Sequence, residues 1–355
     1  MSQLEKIEIG GWWDERCHAV ESRLLDNHGL ASRRATRRLV ERIKELNPAV
    51  IHLHNIHGYY LNYKILFEYL NCSNIPVVWT LHDCWSFTGH CAYFDSVNCG
   101  RWKTKCHDCP LKKDYPRSLF LDRSQRNYEL KKRLFGENKN LHLVPVSQWL
   151  AGLVKESFLK NADIQVINNG VDLSVFTPRE RKDVGKFRIL GVATSWDARK
   201  GLKDFYQLRE HLDPLRYEIT LVGLKAEQIQ ELPLGIQGVE RTSSMDELAQ
   251  FYSDADVLLS LSSAETFGLT PVEAFACGTP AIVYNNTAQP ELVTPETGLI
   301  VETGDISGLI QAIESIRAKG KSFYTQACRK RAEEFYNKDE RFMDYISLYG
   351  SLLKS

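Results

Sequence analysis

Two glutamates eight positions apart, Glu265 and Glu273, enclose Gly268, Thr270 and Pro271 in the stretch "ETFGLTPVEAF". On local grounds Thr270 is a good helix N-cap and Pro271 suits the first helical position. Glu273 falls three after that cap and completes a capping box. The same residues also have chemistry available. A helix start offers unpaired N–H groups and positive potential, and Gly268 lets a ligand come close to the backbone. Upstream, Arg199 and Lys200 in "ARKGL" follow an apolar run and open a helix, which suits them to complete a diphosphate site. Carboxylates are poor neighbours for phosphate but good acceptors for hydroxyl groups. A phosphate site flanked by two hydroxyl acceptors suits a nucleotide sugar, which carries a diphosphate with a diol at each end. Glu273 would cap its helix and still offer an oxygen to a ribose.

Cysteines form a second constellation. Five of the nine lie between residues 84 and 109: Cys84, Cys91, Cys99, Cys106 and Cys109, with His90 and His107 among them. The spacing Cys91-x7-Cys99-x6-Cys106-x2-Cys109 ends in a C-x-x-C knuckle, which in a reducing compartment points to metal more than to disulfides. A structural zinc held by these four thiolates is expected to staple a long loop that has little core of its own. Cys17, Cys72, Cys277 and Cys328 read as buried or incidental.

These residues need elements to hold them. Strands are expected at 49–55, 76–83, 141–147 and 164–169, with amphipathic helices near 59–70, 122–136 and 148–158. A polar, aperiodic stretch at 171–186 reads as a linker between a first domain, 1–170, and a second, 187–336. The second series runs strand 187–194, helix 200–211, strand 217–223, helix 245–255 and strand 256–262. Helix 271–277 follows, stopped by Gly278, Thr279 and Pro280. Strands 281–284 and 298–301 come next, then helices from 305 onward. Apolar strands alternating with helices argue two parallel, doubly wound α/β sheets, whose ligands bind at the carboxyl ends of the strands. Two such domains side by side would put a ligand cleft between them.

The bulk composition fits this plan. The chain has 355 residues, 43% of them apolar, enough for two domains with real cores. No apolar stretch approaches the roughly 20 residues of a membrane span. The N-terminus lacks a signal-peptide core, so a cytoplasmic protein is expected. Net charge is zero but unevenly shared: residues 1–150 hold 22 Lys and Arg against 16 Asp and Glu, and residues 151–355 hold 23 against 29. The densest basic run, "ASRRATRRLVERIKE", sets Leu39, Val40, Ile43 and Leu46 on one helical face. Such a helix is either a solvated surface or one lying near anionic lipid headgroups. Basic and aromatic residues do not alternate as in a nucleic-acid-binding module, so no nucleic acid is expected as a partner.

The stretch "SSAETFGLTPVEAFACGTPAIVYNNTAQPELV" resembles the E-x7-E signature of family-4 retaining glycosyltransferases. "INNGVD" at 167–172 and "ARKGL" at 198–202 match further signposts of that family in the right order. The upstream stretches "VIHLHNIHGYYLN", "VVWTLHDCWSFTGHCAYF" and "RWKTKCHDCP" resemble bacterial enzymes of O-antigen, capsule and colanic-acid assembly. The resemblance implies the GT-B architecture, two facing Rossmann-like domains, with a final helix at 337–355 crossing back to the first. It implies Glu273 on the ribose hydroxyls, Glu265 on the donor sugar, and the backbone of Phe267, Gly268, Leu269 and Thr270 at the sugar and phosphates. Arg199 and Lys200 would hold the diphosphate and stabilise charge on the leaving nucleotide. His82 would approach the donor sugar from the first domain; the plainer alternative is a strand-end histidine bonded to Asp83. No metal is required for transfer. The implied partners are a nucleotide sugar as co-substrate and a lipid-linked oligosaccharide acceptor, with the protein at the inner face of the plasma membrane.

Family members begin with a strand, a glycine-rich loop, a helix and a second strand, and "MSQLEKIEIGGWWDERCHAVESRLLDNHG" stands here instead. The first βαβ unit is therefore expected to be missing and the N-terminal domain truncated. Two further readings stay open: a non-catalytic nucleotide-sugar-binding protein, and a nucleotide-sugar epimerase of the same fold.

Overall fold

Short runs of β-branched and apolar residues become parallel strands, and the amphipathic segments between them become helices, in two separate sheets of a computed structural model. The structure describes residues 6–181 and 185–354; part of the N-terminal stretch, residues 182–184 of the expected linker and Ser355 lie outside the described residues. The chain divides into two units, residues 1–167 with 347–355, and residues 168–346.

The first unit opens with helices α1 (Trp12–Leu25) and α2 (Arg33–Leu46). They lead into β1 (Ile51–Leu53), α3 (Tyr63–Leu70), β2 (Val77–Leu81), α4 (Ser124–Gly136), β3 (Leu141–Pro145), α5 (Gln148–Glu156) and β4 (Asp163–Ile164). The four strands pair in chain order, β1-β2-β3-β4, all parallel. Every residue of β2 is buried, as a central parallel strand requires. Among the described residues no strand precedes β1, which is an edge of the sheet. In α2 the buried face is Ala35, Thr36 and Val40, while Leu46 is exposed, so the expected apolar stripe ends a turn early.

The second unit contains β5 (Phe187–Val192), α6 (Leu202–His211), β6 (Tyr217–Val222), α7 (Ala226–Gln230), β7 (Ile236–Val239) and α8 (Met245–Asp254). It continues through β8 (Val257–Ser260), α9 (Leu269–Ala276), β9 (Ala281–Tyr284), β10 (Gly298–Val301), α10 (Ile306–Lys319) and α11 (Lys321–Phe335), and it holds the start of α12 (Lys338–Leu352), whose residues from 347 onward belong to the first unit. Its six parallel strands lie in the order β10-β9-β8-β5-β6-β7, so the order reverses between β5 and β8. In doubly wound sheets, ligands bind at the strands' carboxyl ends beside such a switch point. Strand β7 was not expected from sequence, because "IQGV" is short and only Ile236 is buried.

The segment read as a linker is anchored to the second unit up to Arg181. Val171 bridges to Asn337, Phe176 is buried, and Arg329 donates to the carbonyls of Leu173 and Phe176. Its polar residues serve hydrogen bonds rather than solvent. Among the described residues no helix is long and apolar enough to cross a membrane.

Candidate functional site

At the carboxyl end of β5 the chain makes a tight turn, Ala198–Lys200, shaped by Asp197. One Asp197 carboxylate oxygen accepts from the Arg199 backbone N–H and the other from its guanidinium, each at 2.9 Å. Gly201 closes the turn with φ +73°, and a Cβ there would lie 2.3 Å from the Leu261 carbonyl oxygen. A glycine is needed because the turn presses against the chain just past β8. Ser263 N–H then donates to the Arg199 carbonyl at 2.7 Å, tying the two loops together.

The loop after β8 carries Glu265. Its carboxylate pairs with the Lys200 ammonium, both side chains being about three-quarters shielded from solvent. Its backbone is fixed by the loop after β9: Glu265 N–H donates to Thr287 Oγ1 at 3.0 Å, and Ala288 N–H donates to the Glu265 carbonyl at 3.1 Å. Gln289, fully buried, braces the same corner by accepting from Ser260 Oγ and donating to the Ser262 carbonyl. Thr287 and Gln289 were not picked out from sequence; they lie in the quoted signature block, but nothing in their types announces a bracing role.

Helix α9 starts differently from the expectation. The cap is Gly268 at φ +100°, with no side-chain cap hydrogen bond, and the helix begins at Leu269. Thr270 and Pro271 are therefore its second and third residues, and the expected capping box does not form. The physical reason is that Gly268 adopts a left-handed conformation at little cost, which starts the helix two residues early. Pro271 then lacks an N–H only where the helix has no partner for one. Glu273, released from capping, accepts from the Tyr252 hydroxyl at 2.6 Å. Burial raises the Glu273 carboxyl to about 7, against a smaller opposing effect of that hydrogen bond. Tyr252 comes from α8, 21 residues upstream, so sequence gave no signal for it.

Arg199, Lys200, Glu265, Phe267, Gly268, Leu269, Thr270 and Glu273 thus all follow β5 or β8, the two strands of the switch point. Two cations and an uncapped helix start offer donors to phosphate, and two carboxylates offer acceptors to hydroxyls.

His82 belongs to the first unit, just past β2. Its Nε2 lies 3.0 Å from His54 Nδ1 with the two rings stacked, and Asp83 instead pairs with His57 Nε2 at 2.8 Å. Burial, with His54 beside it, lowers the His82 imidazole below its ordinary value. Burial works to raise the Asp83 carboxyl, but His57 and the Trp85 N–H outweigh it, and the carboxyl is held down. His54 and His57 complete this group and went unassigned in the sequence, where they lie on a separate strand and loop.

The zinc expectation does not fit. Cys91 and Cys109 hydrogen-bond thiol to thiol, which lowers the Cys109 thiol, and Cys106 accepts from Gly89 N–H at 3.2 Å. Among the described residues no three His, Cys, Asp or Glu side chains are arranged to hold a metal ion. The loop has a core after all: Trp102 is buried against Phe87 and Phe94, and Lys131, buried, donates to the carbonyls of Trp85 and Thr88.

Comparison with known proteins agrees with this construction. Residues 13–175 match the family model "Glycosyltransferase Family 4", and residues 186–319 match "Glycosyl transferases group 1". The chain is 28% identical over 319 residues to a putative colanic acid biosynthesis glycosyl transferase, WcaC, of Escherichia coli K12, covering 86% of this chain and 77% of the relative. Among solved structures it resembles sucrose-phosphate synthase from Thermosynechococcus elongatus, with TM-score 0.68, 20% identity, and 90% and 79% of the two chains covered. It also resembles Anabaena Alr3699/HepE, solved in complex with UDP, with TM-score 0.64, 15% identity, and 89% and 82% covered. The same protein has been solved with UDP-glucose. The chain belongs to the family-4 glycosyltransferases with the GT-B fold.

Proposed function

We propose that this protein is a retaining glycosyltransferase that moves a sugar from a nucleotide-sugar donor to a lipid-linked oligosaccharide during assembly of a cell-surface polysaccharide. The observation that carries the reading is the switch point of the second sheet. There the Lys200–Glu265 pair, Arg199 and the uncapped start of α9 follow adjacent strands. The donor diphosphate takes Arg199, Lys200 and the first N–H groups of α9. Glu265 turns to the sugar hydroxyls and Glu273 to the ribose.

In transfer, the bond between the anomeric carbon and the diphosphate oxygen breaks as the acceptor oxygen bonds to that carbon on the same face. The acceptor proton passes to the departing phosphate. The protein's part is position and charge: two cations offset the negative charge growing on the nucleotide, and no strong base is required. His82 contributes on the sugar side. The complexes of Alr3699/HepE with UDP and UDP-glucose support the donor class, and the WcaC relative supports the pathway class. Exposed Trp12, Trp13 and Phe120 in the first unit support contact with the inner membrane surface, where a lipid-linked acceptor would be met.

The test is a thermal-shift screen of nucleotide sugars, in which a saturating ligand raises stability by mass action. Donor consumption is then assayed with and without a lipid extract as acceptor. Acceptor-dependent product with the anomeric configuration kept is expected. Donor binding without turnover would leave only a binding protein, and isomerisation of the donor sugar would make it an epimerase.

A further inference from the structure

The first unit holds a cavity of about 610 Å³ among α2, α3 and α4, lined in part by the basic run of α2 and by no residue of the donor site. Its rim carries five cations: Arg33 and Arg37 from α2, Lys64 from α3, and Arg126 and Arg133 from α4. Only two carboxylates, Glu68 and Glu129, share it, which leaves a net of three positive charges. Two of the cations have acidic partners, Arg33 with Glu21 at 3.3 Å and Lys64 with Glu68 at 3.7 Å. Among the described residues no carboxylate pairs with Arg37, Arg126 or Arg133.

Three unpaired guanidinium groups around one concavity repel one another, and a solvated helix face does not need them to converge. The walls are also fixed. Asn62 donates to the Leu30 carbonyl, accepts from Ile65 N–H at 3.0 Å, and receives no slack from its own N–H, which is bound to Thr36 Oγ1 at 2.8 Å. Those bonds lock α2 to the start of α3. Asp26 accepts from Arg123 N–H at 2.6 Å, Asn127 Nδ2 donates to the Asp26 carbonyl at 2.9 Å, and Arg123 reaches Asn27 at 2.8 Å. Those bonds lock the start of α4 to the segment between α1 and α2. A buried polar frame thus fixes the helices from which exposed, fork-shaped guanidinium groups project around a space of ligand size.

We propose that this cavity binds the phosphate groups of an anionic ligand, with a diphosphate as the best match to its surplus of three charges. Arg37, Arg126 and Arg133 grip the oxygens, and Arg33 and Lys64 add field. The ligand's phosphates come either from a soluble molecule or from a lipid headgroup. The cavity belongs to the first unit and the donor residues to the second, so the site holds or fails independently of them.

The experiment is calorimetric titration of the full chain with inorganic pyrophosphate. The background carries Arg199→Ala and Lys200→Ala, which removes the diphosphate grip of the second unit. Binding should persist there. Adding Arg37→Ala and Arg126→Ala should weaken it tenfold or more, about 1.4 kcal/mol. Arg37→Lys with Arg126→Lys should lose less, because charge stays while the fork goes. Arg34→Ala with Arg38→Ala, on the same helix but off the cavity, is the control and should change nothing; circular dichroism melts check folding throughout. Equal weakening by the control pair, or no pyrophosphate binding in the background, would overturn the site. Flotation on phosphatidylglycerol against phosphatidylcholine vesicles identifies the source. Cavity-dependent flotation that pyrophosphate competes away assigns a lipid headgroup; cavity-dependent pyrophosphate binding without flotation assigns a soluble phosphate.

Discussion

Glu273 illustrates how one side chain changes meaning between sequence and structure. By position it looks like a capping residue; in the fold it is a partly buried acceptor facing the Tyr252 hydroxyl. Burial lifts its carboxyl from 4.5 to about 7. Between those values the folded protein keeps a proton that the unfolded chain has released, so this group makes stability fall as pH rises through the window. Donor affinity should run the other way, because the ionised carboxylate is the stronger acceptor for a ribose hydroxyl. Glu273→Gln should flatten both profiles and weaken donor binding roughly tenfold above pH 7. Fluorescence titration of the matching nucleotide sugar at a series of pH values checks it; an unchanged affinity would return Glu273 to a structural role.

At the scale of the element, the start of α9 depends on a single backbone conformation. Gly268 sits at φ +100°, and a Cβ there would come within 3.2 Å of Leu292 Cδ1. Gly268→Ala should cost roughly 1–3 kcal/mol of stability and weaken donor binding more than that loss explains, because the helix start must shift. Denaturant melts together with donor titration separate the two effects. The cysteine-rich loop makes a second test. The hydrogen bond from the Cys91 thiol to Cys109 raises Cys91 and lowers Cys109, while burial raises Cys84 and Cys106. Alkylation followed by mass spectrometry should therefore modify Cys109 before those three, and Cys91→Ala should slow it. One zinc per chain by elemental analysis, with all four thiols protected, would instead restore the four-cysteine metal site.

For the whole molecule, the residues with proposed roles are divided between the two units, and their variants should fail differently. Lys200→Ala and Arg199→Ala remove charge that matters most as the nucleotide departs, so transfer should fall at least tenfold more than donor affinity does. His82→Ala should leave donor affinity nearly unchanged, since the diphosphate contacts lie in the second unit, and still reduce transfer. Single-turnover rates measured at saturating donor give the comparison. Equal losses of rate and affinity at Lys200 would mean simple phosphate holding, and a wild-type rate at His82 would remove that residue from the reaction.

Much of the architecture was legible without coordinates. Continuous apolar strands such as Val77–Leu81 and Ala281–Tyr284 can only be buried parallel strands, because an alternating half-exposed strand would have polar residues on one face. The E-x7-E block, "ARKGL" and "LHD" marked where chemistry would collect, since turns after apolar strands open onto ligand crevices. Long-range contact decided the rest. The strand order reversing between β5 and β8, Tyr252 reaching Glu273, and Thr287 fixing Glu265 join residues about 20 or more positions apart, and no local propensity encodes such pairings. The capping box failed for the same reason: Thr270 had a locally sound claim, but Gly268 takes a left-handed backbone angle at a place where any Cβ would crowd Leu292. Cysteine spacing likewise named a donor set and not its geometry, which the packing of Trp102 and Lys131 set. Sequence determined which elements form and which residues their ends carry. Only the tertiary structure decided which of those residues meet, because burial and distant hydrogen bonds outweigh local preferences of about 1 kcal/mol.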